Sequence, residues 1–388
     1  MKIAFIGQKG IPMTFGGVEA HVEKLATGLA ARGHKIFVYT RPWYTPRKKK
    51  TFEGVKLISL PSIHSKNLDA ISHTFLAGLD VLRRDYDIVH YHGVGPALLA
   101  WIPRLFKPAT KVIVTFHSVD RFHQKWGLLA RVALYIGEWA AVKFAHDTIT
   151  VSKVLQMYVS ESHNADTIYI PNGVDIPKKR SPKLIKKMFG LKKDEYILFL
   201  SRLIPHKGTQ YLIDAYNKIN PKQKLVIAGG GSFTDDYVKF LQKKAAGNPN
   251  IIFTGQLQGG SELWSELYSN ACLFVHPSER EGLPIVVLEA MSFGLGVLTS
   301  DIPESMEAIA GGHGFSFKNK SVPDLTKKLR HLLNSPELVR RVGAGAQQHV
   351  RKNYNWEGIV VSVETVYKAA LGFRPASVPV KKTVFAKS

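Results

Sequence analysis

Twice along this chain, short and nearly continuous apolar runs alternate with helical patterns, and the alternation stops once and starts again. Strands that are apolar throughout must be covered on both faces, and helices connecting parallel strands provide that cover. The first series predicts strands at 2–7, 35–40, 55–60, 87–91, 111–116, 148–151 and 167–170. Helical patterns lie between them at 18–31, 68–83 and 128–144. In the first of these, Val18, Val22, Leu25, Ala26, Leu29 and Ala30 share one face, and Gly33 ends the run.

The turn cluster Pro171-Asn172-Gly173-Val174-Asp175 and a lysine-rich stretch break the series. It resumes with strands predicted at 196–200, 224–228, 251–254, 273–276 and 297–299. Helices are predicted at 209–219, 235–246, 261–269, 285–293, 322–333, 336–353 and 357–370. The 388 residues therefore read as two α/β domains, matching roughly 100–200 residues per domain. The expected bounds are 1–175 and 190–353, with a basic linker at 176–189 and a flexible tail at 372–388.

Hydrophobic residues make up 45 % of the chain, enough for sizeable cores. The single cysteine, Cys272, excludes a disulfide framework and any multi-cysteine zinc site. Gly7 breaks the opening apolar run too early for a signal peptide, and the uncharged stretch 88–103 is too short and too interrupted to span a bilayer. The expected location is cytoplasmic. The net charge of +23 speaks about partners rather than fold, and candidates are an anionic membrane face, nucleic acid or phosphorylated substrates. Residues 178–193 alone carry eight basic side chains and no acid.

In open parallel sheets, ligands bind beyond the carboxyl ends of the strands, where helix N-termini point. Three segments occupy such places. Gly16-Gly17 ends the loop after the first strand and allows close approach to the backbone; its spacing is not that of a dinucleotide fingerprint, and a loop that only turns the chain would look the same. Arg202 and Lys207 follow the strand at 196–200, and a guanidinium fork with an ammonium point charge can clamp a diphosphate. Two solvated surface cations are the alternative. Glu281 and Glu289 follow the strand at 273–276 in Glu281-Gly282-Leu283-Pro284-Ile285-Val286-Val287-Leu288-Glu289. Pro284 suits the first helical turn, the two carboxylates fall about two turns apart on one side, and such a pair accepts hydrogen bonds from a polyol. Glu289 lies in an otherwise apolar helix, which calls for a specific partner.

With these residues in their order, the chain resembles the retaining glycosyltransferases of GT-B fold, and more narrowly family 4, the glycosyl transferases group 1. The resemblance rests on Glu-x7-Glu, the upstream Arg-x4-Lys pair, Gly16-Gly17 with Glu19, and Pro171-Asn172-Gly173-Val174-Asp175, and it covers about residues 1–370. It implies two Rossmann-like domains whose parallel sheets face each other across a cleft, with the helix at 357–371 packed back on the N-terminal domain.

The resemblance also implies roles. Glu281 takes the transferred sugar's hydroxyls and Glu289 the ribose. Arg202 and Lys207 hold the diphosphate, assisted by the amides of Ile285 and Val286, with Gly17 against it from the N-terminal side. The base packs near Gly229, Gly230, Gly231, Gln256 and Leu257. His117 matches an active-site histidine of the N-terminal domain, although Ser118 stands where many members have Asp. The donor is a UDP-, GDP- or dTDP-linked sugar, attacked on the same face by a glycan or lipid-linked acceptor.

Cations and helix amides meet the charge that develops on the leaving diphosphate, so no metal and no other cofactor is expected. Asp85-Tyr86-Asp87, the one D-x-D, precedes its strand and lies at the wrong end for a metal role. The loop from Gly7 onward is similar to polysaccharide and rhamnosyl transferases, which points to surface-polysaccharide or glycolipid assembly. A peripheral seat on the inner membrane face fits the charge, with Arg131 and Lys143 in the helix at 128–144 as contacts. Two other readings stay open: a nucleotide-sugar epimerase of the same fold, and a basic binding protein for membranes or nucleic acid. No recognised nucleic-acid motif supports the last, and no nucleic-acid partner is expected.

Overall fold

The computed structural model describes residues 1–65, 68–122, 127–231 and 234–373. The chain forms two compact units, one of Met1–Asn172 with the segment from Trp356 onward, the other of Gly173–Asn355.

The first unit begins with β1 (Lys2–Ile6), α1 (Gly17–Ala31), β2 (Lys35–Thr40), β3 (Thr51–Phe52), β4 (Val55–Ser59) and α2 (Asp69–Leu82). Next come β5 (Ile88–His92), α3 (Val94–Ala97), α4 (Trp101–Phe106), β6 (Lys111–Phe116), α5 (Leu128–Lys143), β7 (Asp147–Thr150), α6 (Lys153–His163) and β8 (Ile168–Tyr169). Among the described residues the sheet order is β3-β4-β2-β1-β5-β6-β7-β8, parallel except for the short β3–β4 pair. The order reverses direction between β1 and β5, which opens a crevice at their carboxyl ends.

The second unit holds α7 (Leu184–Phe189), β9 (Tyr196–Leu200), α8 (Thr209–Ile219), β10 (Lys224–Ala228), α9 (Asp235–Ala245), β11 (Ile251–Gly255) and α10 (Glu262–Asn270). It continues with β12 (Leu273–His276), α11 (Ile285–Ser292), β13 (Val297–Ser300), α12 (Pro303–Ala308), β14 (Phe315–Phe317), α13 (Val322–Leu333) and α14 (Pro336–Asn353). Its parallel sheet runs β11-β10-β9-β12-β13-β14, and the reversal falls between β9 and β12.

The last helix, α15 (Trp356–Ala370), belongs to the first unit. Its Ile359, Val360, Val363, Val366 and Tyr367 join Val22, Leu25 and Leu29 of α1 in one buried cluster with Ile3 and Phe5 of β1. Gly28 permits the close approach of α1 and α15, since a Cβ there would lie 2.7 Å from a Val360 methyl.

Two expectations need correction. The basic segment 176–189 is not a linker but part of the second unit. The amide of Ile185, whose side chain is buried, donates to Glu266 Oε2 at 3.0 Å, and the amide of Arg180 donates to Ser269 Oγ at 3.0 Å. One buried isoleucine and these polar ties to α10 anchor a stretch whose lysines otherwise face water. Two residues expected in the flexible tail are ordered: Gly372, at φ +85°, and Phe373, whose amide donates to the Lys368 carbonyl at 2.9 Å, cap α15. Residues 374–388 of that tail lie outside the described residues. No helix among the described residues is long and apolar enough to cross a membrane.

Candidate active site

The residues singled out in the second unit gather at the carboxyl edge of its sheet, around the reversal between β9 and β12. After β9 the chain passes the exposed Arg202 and makes a single tight turn that ends in Lys207, a buried residue. Gly208 follows at φ +72°, and a Cβ there would lie 1.9 Å from the Pro277 carbonyl oxygen. Only glycine lets the start of α8 approach the loop after β12 this closely.

That loop is held by backbone and side chain alike. The amide of Glu279 donates to the His206 carbonyl at 2.7 Å, Ser278 Oγ donates to the Arg280 carbonyl at 3.0 Å, and Ser300 Oγ donates to the Ser278 carbonyl. The chain thereby returns Glu281 to Lys207, whose Nζ lies 2.5 Å from Glu281 Oε1. Burial alone would raise the Glu281 carboxyl, but Lys207 and His276 overcome it and hold the group well below its ordinary range. Burial lowers the Lys207 ammonium, Glu281 supports it, and neighbouring Arg202 opposes it.

Pro284 is the N-cap of α11 rather than a residue of its first turn, which corrects the expectation. Its extended ψ of 92° places its carbonyl to accept from the amides of Val287 at 3.0 Å and Leu288 at 3.3 Å. The amides of Ile285 and Val286 precede the first intrahelical donor and are available to a ligand. Glu289, one turn further on, accepts from Tyr268 Oη at 3.1 Å. Desolvation raises Glu289 to about 7, opposed by the Tyr268 bond and aided by Asp175.

The loop after β10 meets both neighbours. A Cβ on Gly229 would lie 1.8 Å from the Ser201 carbonyl oxygen, and one on Gly230 would lie 2.9 Å from Gln256 Oε1. The Gly230 carbonyl accepts from the Leu203 amide at 2.8 Å. Leu257, next to Gln256, is half-buried. The structure thus brings the loops of Arg202, Gly230 and Gln256 into contact, and Glu281 to Lys207.

In the first unit, Gly16 caps α1 and Gly17 is its first residue. Gly16 sits at φ +109°, a backbone conformation that side-chained residues rarely adopt, and a Cβ there would also lie 1.9 Å from the tip of Glu19. Buried Glu19 accepts from the Lys9 amide at 3.1 Å and pairs with Lys9 Nζ at 3.5 Å, which pins the loop. His117 follows β6 and stacks on His92, with its Nε2 3.2 Å from His92 Nδ1, and His21 of α1 meets it edge-on at 4.9 Å between ring centroids. Burial, then the neighbouring histidines, holds His117 well below 6.5, so it is neutral at pH 7. His90 is structural: its ring nitrogens bond Tyr367 Oη at 2.6 Å and Thr115 Oγ1 at 2.7 Å.

Asp85 and Asp87 lie at the opposite end of β5. Asp87 Oδ2 accepts from the Lys2 amide at 2.7 Å, and Asp85 is exposed beside Lys107. Sequence reasoning missed His276, Tyr268 and Lys9. A polar residue closing an otherwise apolar strand was the available signal for His276; Tyr268 sits in a helix of mixed polarity that carries no such signal.

Comparison with known proteins follows from these features. The family description "Glycosyl transferases group 1" matches residues 182–349, and "Glycosyltransferase Family 4" matches residues 15–178. An uncharacterized glycosyltransferase of Methanocaldococcus jannaschii is 28 % identical over 396 residues, spanning 96 % of this chain and 99 % of that protein. The structure is similar to sucrose-phosphate synthase from Thermosynechococcus elongatus, with a TM-score of 0.82 at 22 % identity, covering 96 % of this chain and 100 % of that one. It is also similar to Anabaena HepE in complex with UDP-glucose, with a TM-score of 0.79 at 19 % identity, covering 95 % and 100 %.

Proposed function

Because this chain belongs to the family 4, group 1 glycosyltransferases and has their GT-B fold, we propose that it moves a sugar from a nucleoside-diphosphate donor to a glycan or lipid-linked acceptor, with retention at the anomeric carbon. The observation that carries this reading is the Lys207–Glu281 pair at the carboxyl edge of the second sheet, next in sequence to the open amides of α11. In the reading, Arg202, Lys207 and those amides take the diphosphate, Glu281 takes sugar hydroxyls and Glu289 takes ribose hydroxyls. The bond from the anomeric carbon to the phosphate oxygen breaks. A bond from the acceptor oxygen to that carbon forms on the same face, and the acceptor's proton passes to the departing phosphate oxygen. The cations meet charge as it develops on the diphosphate, which is where preplaced charge accelerates a reaction most. His117, neutral and locked between two other histidines, orients a substrate rather than taking the proton; its low basicity supports that assignment.

The relative in complex with UDP-glucose supports a nucleotide sugar as donor. A role in surface-polysaccharide or glycolipid assembly, at an anionic membrane face, completes the reading. A panel of UDP-, GDP- and dTDP-linked hexoses, read by released nucleoside diphosphate, tests it. The cognate donor is expected to turn over, and Glu281→Ala and Lys207→Ala each to abolish most of that turnover. Unchanged turnover in both variants would overturn the site assignment.

A further inference from the structure

His276 is the last residue of β12 and is fully buried. It is paired in the ladder with Thr299 of β13, and its ring lies parallel to that of Phe274, so strand and packing fix its direction. Its Nε2 lies 2.7 Å from Glu281 Oε1, the same oxygen that Lys207 Nζ reaches at 2.5 Å. A carboxylate only accepts, so the histidine donates, and the ring is the tautomer with its proton on Nε2. The other nitrogen, Nδ1, is buried and has no hydrogen-bond partner among the described residues.

We propose that His276 is a positioning residue for transfer: with Lys207 it occupies one oxygen of Glu281, fixes the plane of the carboxylate and leaves Oε2 as the single oriented acceptor for a sugar hydroxyl. The inference rests on the reading of Glu281 as the residue that takes the sugar. Among the described residues no donor reaches Oε2. The terminal torsion of a glutamate is broad, so one tether alone leaves the carboxylate free to swing. Two donors on one oxygen remove that freedom. Burial holds His276 below 6.5, against the support of Glu281, so at neutral pH it contributes direction and not charge. Lys207 supplies the charge. The division of labour separates the two residues experimentally.

The test compares His276→Leu, which removes the donor, with His276→Gln, whose amide nitrogen can occupy the place of Nε2. Donor kcat/KM is measured with whichever UDP-, GDP- or dTDP-linked hexose turns over, and affinity for the corresponding nucleoside diphosphate is measured alongside. Thermal unfolding checks that each variant folds. His276→Leu is expected to lower kcat/KM on the order of 10- to 100-fold while leaving nucleoside diphosphate affinity unchanged, and His276→Gln to recover most of the loss. Wild-type kcat/KM in a folded His276→Leu, with a clear loss in Glu281→Gln, would overturn the role of His276. So would equal losses in folded Leu and Gln variants. Wild-type kcat/KM in Glu281→Gln would instead overturn the reading of Glu281 itself.

Discussion

Lys207 Nζ lies 2.5 Å from Glu281 Oε1 although 74 residues separate them, and both side chains are only about one-tenth exposed. Removing one partner strands the other's charge in a site with little water. Lys207→Met is therefore expected to cost about 3 kcal/mol of unfolding free energy, and Glu281→Gln a similar amount. The double variant should cost clearly less than the sum, because neither charge remains to be desolvated alone. Urea unfolding of the full chain measures this. Strict additivity would show that the two side chains are not coupled.

Glu289 gives a pH dependence of definite sign. Its carboxyl goes from 4.5 to about 7 on burial, so between those values the folded chain holds a proton that the unfolded chain has lost. This contribution to stability falls as pH rises from about 4.5 to 7, by on the order of 3 kcal/mol in full. Glu289→Gln should accordingly stabilise the protein more at pH 8 than at pH 5, and unfolding at the two values reads the difference. If ribose hydroxyls donate to Glu289, nucleotide binding should also release a proton near pH 7. Titration calorimetry in buffers of different ionisation enthalpy detects it, and identical enthalpies in all buffers would count against a ribose contact.

Glu364 has the opposite sign. Burial would raise it, but Lys368 at 2.7 Å, Arg32 at 2.6 Å and His34 at 3.2 Å hold it at about 2. Its folded value lies below its unfolded one, so the contribution is fully present above pH 4.5 and disappears as pH falls toward 2. Arg32 and Lys368 are more than two-fifths exposed, so screening limits the gain to about 1–2 kcal/mol. Glu364→Gln should lower the midpoint of thermal unfolding at pH 7 and make no difference near pH 2. An equal effect at both values would show that packing of α15, and not charge, is what the substitution disturbs.

The parallel strands of both units were legible because Ile197, Leu198 and Phe199, or Val112, Ile113 and Val114, leave no polar face for water. Other elements were hidden for physical reasons. In α7 a single buried residue, Ile185, is masked by lysines, and β14 has three residues at a sheet edge. Gly95, Pro96 and Pro103 make α3 and α4 read as broken loop. At the site, strand ends and glycines pointed to Arg202, Lys207, Glu281 and Glu289. Periodicity predicts which face is buried; it says nothing about which side-chain tips meet across 74 residues, nor that Tyr268, His276 and Glu19 hold the site's groups in place.

The surface of α5 supplies a last prediction, and it concerns where the enzyme works. Leu128 and Leu129 are 78 % and 87 % exposed, and Val132, Tyr135, Ile136 and Trp139 continue the apolar stripe along the helix. The helix has one acid, Glu138, and it is buried with Tyr158 Oη at 2.8 Å, His163 Nε2 at 3.3 Å and Arg121 at 3.4 Å. What remains outside is apolar surface with the exposed cations Arg131 and Lys143. Such a face should insert shallowly among anionic headgroups, with apolar burial and charge acting together. Cosedimentation with vesicles containing phosphatidylserine is expected, weakening as salt rises. Leu128→Asp with Leu129→Asp should lower binding on the order of 10-fold or more, whereas donor turnover measured without vesicles should not change. Binding that ignores both salt and the two aspartates would remove α5 as the membrane contact.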